Sequence, residues 1–277
     1  MRLLSWNVQW CRGLDGVVDP ARIVREARGL GDPDVLCFQE VNVGFTDLAG
    51  SRGENQVKAL ERELQGYAVF FASAVDVPGE GGARLRFGNI VASRLPVGRV
   101  LRHTLPWPPS RAPSMPRAAM EATIQAPFGA VRVTSTHLEY YSKRQREAQV
   151  ERLRELHSEL NREKPEAEAA GAFRPFARPQ SAIVCGDFNL PPEDSLHARM
   201  LEGFPDDTPK FVDAWQALHP GEPHPHTFRV HERDEGEAPY CCDYVFVSED
   251  LRPRLKSIRI DRANRASDHQ PVVIELA

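Results

Sequence analysis

Apolar positions along this chain recur first with one period and then with another, and the switches mark out its elements. "LLSWNV" (residues 3–8) reads as a strand. Asp19-Pro20 then supplies an N-cap and a first-turn proline, and Ile23, Val24, Ala27 and Leu30 fall at helical spacing. Gly31-Asp32-Pro33 stops that helix, and "DVLCFQEV" is the next strand. Asn55 caps a second helix, with Val57, Leu60 and Leu64 inward and Gly66 as its stop.

From Tyr67 the pattern becomes mainly strands: "YAVFFASAV", "NIVASRL", "EATIQA" and "AVRVTSTHL", the last two joined through Pro127-Phe128-Gly129. A long amphipathic helix is predicted from about Lys143 to Leu160, with Val150, Leu153, Leu156 and Leu160 on its apolar face. "EKPEAEAAGAFRPFARPQ" (163–180) lacks any core pattern and reads as an exposed loop. After it come "AIVCGDFN", a mixed segment around Phe211 to Trp215, and the strands "DYVFVS", "LKSIRI" and "PVVIEL". Strands and helices stay interleaved with neither a repeat nor a linker, which predicts one α/β domain over residues 1–277.

Composition narrows the functional classes. Hydrophobic content of 41% and charged content of 27% are those of a globular chain with a sizeable core. A net charge of −4 and a pI near 6.2 give no global attraction for polyanions, which disfavours broad electrostatic binding of nucleic acid. The five cysteines are odd in number and form no C-x-x-C pair, so free thiols in a reducing compartment are expected. The chain enters a strand pattern at Leu3 and no apolar run approaches bilayer length; a cytoplasmic location without stable membrane association is the expectation.

Polar residues fall where the predicted strands end. Asn7 ends "LLSWN", Gln39-Glu40 end "VLCFQE", His137 ends "VTSTH", and Asp187 and Asn189 end "AIVCGDFN". Asp243 begins "DYVFVS", and Ser267-Asp268-His269 immediately precede "PVVIEL". Each has an ordinary explanation when taken singly: a turn-closing Asn, an exposed Glu, a satisfied histidine, an Asx-turn before Pro191-Pro192. A single site built at one edge of a sheet accounts for all of them together. Glu40 is a hard oxygen ligand which, with Asn7, suits Mg²⁺ or Mn²⁺, whereas H-E-x-x-H and cysteine clusters suited to zinc are missing from the sequence. Histidines among carboxylates suit a phosphoryl centre, where they stabilise developing charge. An Asp beside an Asn lets one group activate water while the other grips phosphate.

These segments carry a family resemblance. "SWNV", "CFQEV", "FGNIVASRLPV", "STHLE", "CGDFNLPPE", "CDYVFVS" and "SDHQPV" occur in the order and spacing of the endonuclease/exonuclease/phosphatase superfamily, from Leu3 to Leu276. That group includes DNase I-like nucleases, neutral sphingomyelinases, inositol polyphosphate 5-phosphatases, deadenylases and tyrosyl-DNA phosphodiesterases. The resemblance implies a four-layer α/β/β/α sandwich of two mixed β-sheets and a Mg²⁺- or Mn²⁺-dependent phosphoester hydrolase, with a phosphodiesterase foremost. A DNA endonuclease or exonuclease, or a non-catalytic phosphate- or nucleic-acid-binding module, are the alternatives it leaves. Carried over by motif, Asn7 and Glu40 resemble the metal site, with Asp268 as its acidic neighbour. Asp187 resembles the residue that activates water, Asn189 and His137 resemble phosphate contacts, and His269 resembles the catalytic histidine polarised by Asp243. Arg117, in "PRAAMEA", resembles the arginine that precedes a strand near the phosphate.

Two departures narrow the branch. Abasic-site endonucleases of the family carry an acidic residue where this chain has Gln9, and tyrosine where it has His137. "THLE" with Arg144 and Gln149 downstream is closer to the tyrosyl-DNA phosphodiesterase and sphingomyelinase-like branches. Outside the motifs, His224-Pro225-His226 has the look of a metal pair but sits among prolines and charges that favour a loop. Trp107-Pro108-Pro109 with Arg111 offers either a substrate-facing stacking surface or a rigid surface loop. Tyr140-Tyr141 either border the substrate or start the long helix, and the alternating Arg and Glu of that helix read as a solvated, ion-paired face.

Overall fold

The computed structural model describes residues 1–159, 171–173, 178–231 and 238–277. In chain order its elements are β1 (Arg2–Asn7), α1 (Pro20–Gly29), β2 (Val35–Val43), α2 (Gln56–Glu63), β3 (Ala68–Pro78), β4 (Arg84–Ser93), β5 (Val97–Thr104), β6 (Ala118–Ala126), β7 (Gly129–His137) and α3 (Lys143–Ser158). They continue with β8 (Ala182–Asp187), α4 (Ser195–Leu201), β9 (Phe211–Asp213), α5 (Ala214–Leu218), β10 (Asp243–Ser248), β11 (Leu255–Ile260) and β12 (Val272–Leu276). One sheet runs β11-β12-β1-β2-β4-β3 and the other β5-β6-β7-β8-β10-β9. Each is mixed: β1 pairs parallel with β2 and β7 parallel with β8, while the remaining pairs are antiparallel.

Alternation within the central strands builds four layers. Leu3, Cys37, Val91, Met120, Ile183 and Val245 meet in a core between the sheets. Their neighbours Leu4, Phe38 and Ile90 turn outward, where Ile23, Val24 and Ala27 of α1 and Leu60 of α2 cover them. On the far side Val184, Phe188 and Phe246 pack beneath Val150 and Leu153 of α3 and Leu196 and Met200 of α4. Strands covered on both faces read as continuous apolar runs, which is why the sequence shows them so clearly.

Both expected caps are present: Asp19 accepts from Arg22 N at the start of α1 and Asn55 from Lys58 N at α2. Ser142, which no expectation singled out, caps α3 by accepting from Gln145 N. Strand β9 and helix α5 occupy the segment read only as mixed, and β5 and α4 escaped the pattern altogether. Strand β5 lies at a sheet edge with most of its residues partly or fully exposed, so Arg99, Arg102 and His103 interrupt any apolar alternation. Helix α4 is seven residues long, too short to establish a period. The expected loop at 163–180 lies mostly outside the described residues, as does Leu160; near its end Arg178 reaches Glu121 of β6 with hydrogen bonds of 2.9 and 3.0 Å.

Candidate active site

Strand register brings the polar ends together. Asn7 lies opposite Gln39 in the parallel pair β1–β2, and His137 opposite Asp187 in the parallel pair β7–β8. Strand β10 runs antiparallel to β8 and sets its first residue, Asp243, against Asp187. Strand β12 is antiparallel to β1, so the residues just before it, Asp268 and His269, return over the same edge. Two stacked sheets therefore deliver six segments to one rim.

Local backbone distortions aim the side chains. The β2–β4 register slips between Phe38 and Val41, and within that bulge Glu40 adopts a left-handed φ of 61°. Asn189 has φ of 52°, and Gln9, Trp10 and Cys11 are three successive left-handed residues separated from the end of β1 by one residue. Such conformations cost roughly 1–2 kcal/mol per residue and persist where surrounding packing enforces them. Gly186 has φ of 140°, and a Cβ there would stand 1.9 Å from the carbonyl oxygen of Thr136, so β8 can hold this path only with glycine.

Asn7 sits at the centre of the resulting geometry. Its Nδ2 donates to Glu40 Oε1 at 3.1 Å and to Asp187 Oδ2 at 3.0 Å, while its Oδ1 accepts from Gln9 N at 3.1 Å. The carboxamide thus bridges carboxylates from the two sheets and turns its nitrogen, rather than its oxygen, towards them. Asp187 Oδ1 accepts from Asn189 N at 2.9 Å, and its Oδ2 lies 3.4 Å from His137 Nε2 and 3.6 Å from His269 Nε2. His269 Nδ1 is 2.9 Å from Asp243 Oδ2, and the ring packs 4.5 Å from Phe228. Asn189 Nδ2 lies 3.0 Å from His137 Nε2 and donates to Leu138 O at 2.9 Å. Asp268 Oδ2 accepts from Gln9 Nε2 at 2.6 Å.

Electrostatics separate the two histidines. Burial, with Arg117 and His269 adding positive charge, holds His137 well below the usual histidine range, so it is neutral. Burial opposes charging of His269 as well, but Asp243 and Asp187 more than offset it, and this ring is cationic. Among the acids, burial raises Glu40 to about 7, helped by Asp268 and Asp187 and opposed by His269 and Asn7. Burial likewise raises Asp187 to about 6, with Asp243 adding to the shift and His269, Asn7 and Asn189 N–H restraining it.

This donor set fits a hard divalent cation. Glu40 and Asp268 both line the cavity, each adds to the other's repulsion, and among the described residues no basic side chain pairs directly with Glu40 other than the neutral His137 at 3.8 Å. Uncompensated oxygens of this kind match Mg²⁺ or Mn²⁺. Asp187, Cys242, Asp243 and His269 also cluster, but there Asp243 and His269 are already bonded to each other and burial keeps the Cys242 thiol protonated. Arg117 is buried, its Nε donates to Glu139 Oε2 at 3.3 Å, and its Nη1 has no hydrogen-bond partner among the described residues. A buried guanidinium donor left free beside the cavity suits an anionic ligand.

The cavity holds about 250 Å³, and Glu40, Arg117, His137, Asp187, Asn189, Asp268 and His269 all line it. Asn7 and Asp243 lie behind those residues and position them. Tyr140 and Tyr141 border the cavity, one of the two readings their sequence allowed, and Trp10, Met115 and Phe228 complete walls that no motif announced. Glu139 was missed too: it holds Arg117, accepts from Tyr141 N at 2.9 Å and has its own N–H on Gln149 Oε1 at 2.9 Å. Its signal in sequence is its place as the last residue of "STHLE", two after His137, to which no role was attached.

A model of the Endonuclease/Exonuclease/phosphatase family matches residues 4–269. Solved structures share the fold over the whole chain. An endonuclease/exonuclease/phosphatase from Beutenbergia cavernae is 23% identical with a TM-score of 0.70, matching 100% of this chain and 72% of its own. TDP2 of D. rerio, humanized by 14 mutations, is 19% identical with a TM-score of 0.64 and coverages of 100% and 98%. The 3′ phosphatase NExo from Neisseria, bound to a product DNA hairpin, is 18% identical with a TM-score of 0.64 and coverages of 100% and 99%. No curated protein matches the sequence.

Proposed function

The chain belongs to the endonuclease/exonuclease/phosphatase family, a family of phosphoester hydrolases, and on that premise we propose that it hydrolyses phosphodiesters with Mg²⁺ or Mn²⁺ through a water activated by Asp187. The observation that carries the reading is the position of Asp187 Oδ2, 3.0 Å from Asn7 Nδ2 and 3.6 Å from His269 Nε2, beside a cavity that also receives the free donor of Arg117.

Asp187, raised to about 6, is ionised near neutral pH yet basic enough to accept a proton from the attacking water. Its Oδ1 is held by Asn189 N–H, which leaves Oδ2 to meet that water. His269, charged through Asp243, faces the reacting centre with Nε2–H and stabilises negative charge on the phosphoryl oxygens. Arg117 Nη1 binds those oxygens and fixes the ester for in-line attack, and the amide of Asn189 joins it by exchanging its bond to Leu138 O for one to the phosphate. His137 is neutral: its Nε2 accepts from Asn189, so the proton sits on Nδ1, on the side of Glu40. Glu40 with Asp268 would hold the divalent cation, whose chemistry is to neutralise charge on the phosphate and leaving oxygen. Asn7 keeps Glu40 and Asp187 at a fixed separation.

With one arginine and one imidazolium facing three carboxylates, the cavity suits a singly charged diester better than a doubly charged monoester. Turnover of bis-p-nitrophenyl phosphate should exceed that of p-nitrophenyl phosphate in kcat/KM, and EDTA should abolish it. Asp187→Asn should remove the activity without altering the circular-dichroism spectrum; undiminished turnover in that variant would end this assignment. A nucleic-acid substrate is the second reading, favoured by Tyr141, which lines the cavity and is 65% exposed, and by Trp107, which is 50% exposed on the segment whose Pro108 carbonyl accepts from Gln145 of α3.

A further inference from the structure

One histidine of His224-Pro225-His226 has a partner that no spacing suggested. His224 Nε2 lies 2.8 Å from Asp213 Oδ2, and His197 of α4 brings its own Nε2 within 2.8 Å of the same oxygen. The side chains of His197, Asp213 and His224 are only 3%, 2% and 6% exposed. Asp213 Oδ1 is occupied by the N–H groups of Trp215 and Gln216 at 2.7 and 3.2 Å, which locks the carboxylate with Oδ2 towards the two rings. The geometry points to a second metal centre here, a zinc site with His197, Asp213 and His224 as its ligands.

Three observations support it. All three donor atoms lie within 4.8 Å of one another, close enough for one ion to replace the shared hydrogen bonds with small side-chain movements. Two imidazoles and one carboxylate make a common three-ligand zinc set with a fourth position open, and the backbone bonds to Asp213 Oδ1 are the outer support that such ligands require. A cavity of about 780 Å³ lined by His224, Glu193, Glu222 and Cys241 adjoins the site and can supply water at that fourth position. Burial against Tyr244 and Phe246 keeps the rest of the shell apolar.

This centre is distinct from the one at Glu40. Asp213 pairs with Phe246 of β10, three residues from Asp243 and so about 10 Å along the strand. Binding requires a bare Nε2 on each ring; the proton each holds moves to Nδ1 or passes to water in the adjoining cavity, so affinity falls as pH falls. A metal here would tie α4, β9 and the loop after α5 into one unit.

Cobalt substitution tests the site without reference to activity. Chelator-stripped protein should take up Co²⁺ with the intense visible absorption of four-coordinate cobalt, displaceable by Zn²⁺; six-coordinate oxygen sites absorb weakly. The band should survive Glu40→Gln and vanish in His224→Gln, whose amide can still bond to Asp213 but is a poor zinc ligand. If His224→Gln does not fold, the unfolding midpoint of Glu40→Gln decides: a rise with Zn²⁺ over EDTA supports the site and no rise overturns it. No intense band in the wild type, or a band lost in Glu40→Gln and kept in His224→Gln, would also overturn it.

Discussion

His269 and Asp243 come from different strands yet form one buried unit, with Nδ1 and Oδ2 2.9 Å apart and the opposite ring nitrogen directed at Asp187. Asp243 is buried and does not line the cavity. Its contribution is to keep the imidazole charged and oriented. Asp243→Asn should therefore lower kcat by roughly 10²–10⁴-fold with little change in KM. The loss of charge support should also move the alkaline limb of the pH–rate profile downward. An unmoved limb would show that His269 draws its charge from elsewhere.

The acids give the cation-free protein a pH-dependent stability of definite sign. Glu40 at about 7 and Asp187 at about 6 bind protons more tightly folded than unfolded. Their support is full below the ordinary carboxylate range and is lost as pH rises through about 6 to 7. His137 acts in the opposite sense, destabilising the fold as pH falls, but does so with or without a cation. Comparison of urea midpoints in EDTA and in MgCl₂ isolates the carboxylates: the Mg²⁺-dependent gain should be large near pH 8 and small near pH 5.

Glu40→Gln should separate stability from function. The amide removes a buried negative charge from a crowded carboxylate group, so the cation-free variant should unfold at a higher urea concentration than wild type near pH 8 while losing hydrolytic activity. A variant both inactive and less stable would mean that Glu40 serves mainly as a hydrogen-bond partner of Asn7.

Arg117→Lys should fail to rescue Arg117→Ala. Lysine can meet either Glu139 or an anion in the cavity, whereas the guanidinium spans both. Both variants should raise KM for bis-p-nitrophenyl phosphate and weaken competition by inorganic phosphate. Glu139→Gln, by loosening Arg117, should reproduce part of that effect.

Gly186→Ala tests the path of β8. An added Cβ meets the Thr136 carbonyl at 1.9 Å on a backbone at φ of 140°. A loss of about 3 kcal/mol or more in chemical denaturation is expected; a loss under about 1 kcal/mol would mean that β7 and β8 can separate here.

The chain's periodicity was enough to lay out the two sheets' central strands and the first three helices, with the caps of the first two, because strands buried on both faces and helices with one apolar stripe leave strong local patterns. Family motifs nominated Asn7, Glu40, Arg117, His137, Asp187, Asn189, Asp243, Asp268 and His269. What the tertiary structure decided is how they meet. A bulge, not a pattern, aims Glu40; Asn7 faces the acids with its nitrogen, which no residue spacing encodes. Whether His137 is neutral and His269 charged depends on which carboxylates stand beside each ring. The convergence of His197 and His224 on Asp213, and of Glu139 on Arg117, joins residues on separate elements. Local sequence sets the path of each element, whereas protonation and ligand geometry are set by distances between elements, and only the packed sheets fix those.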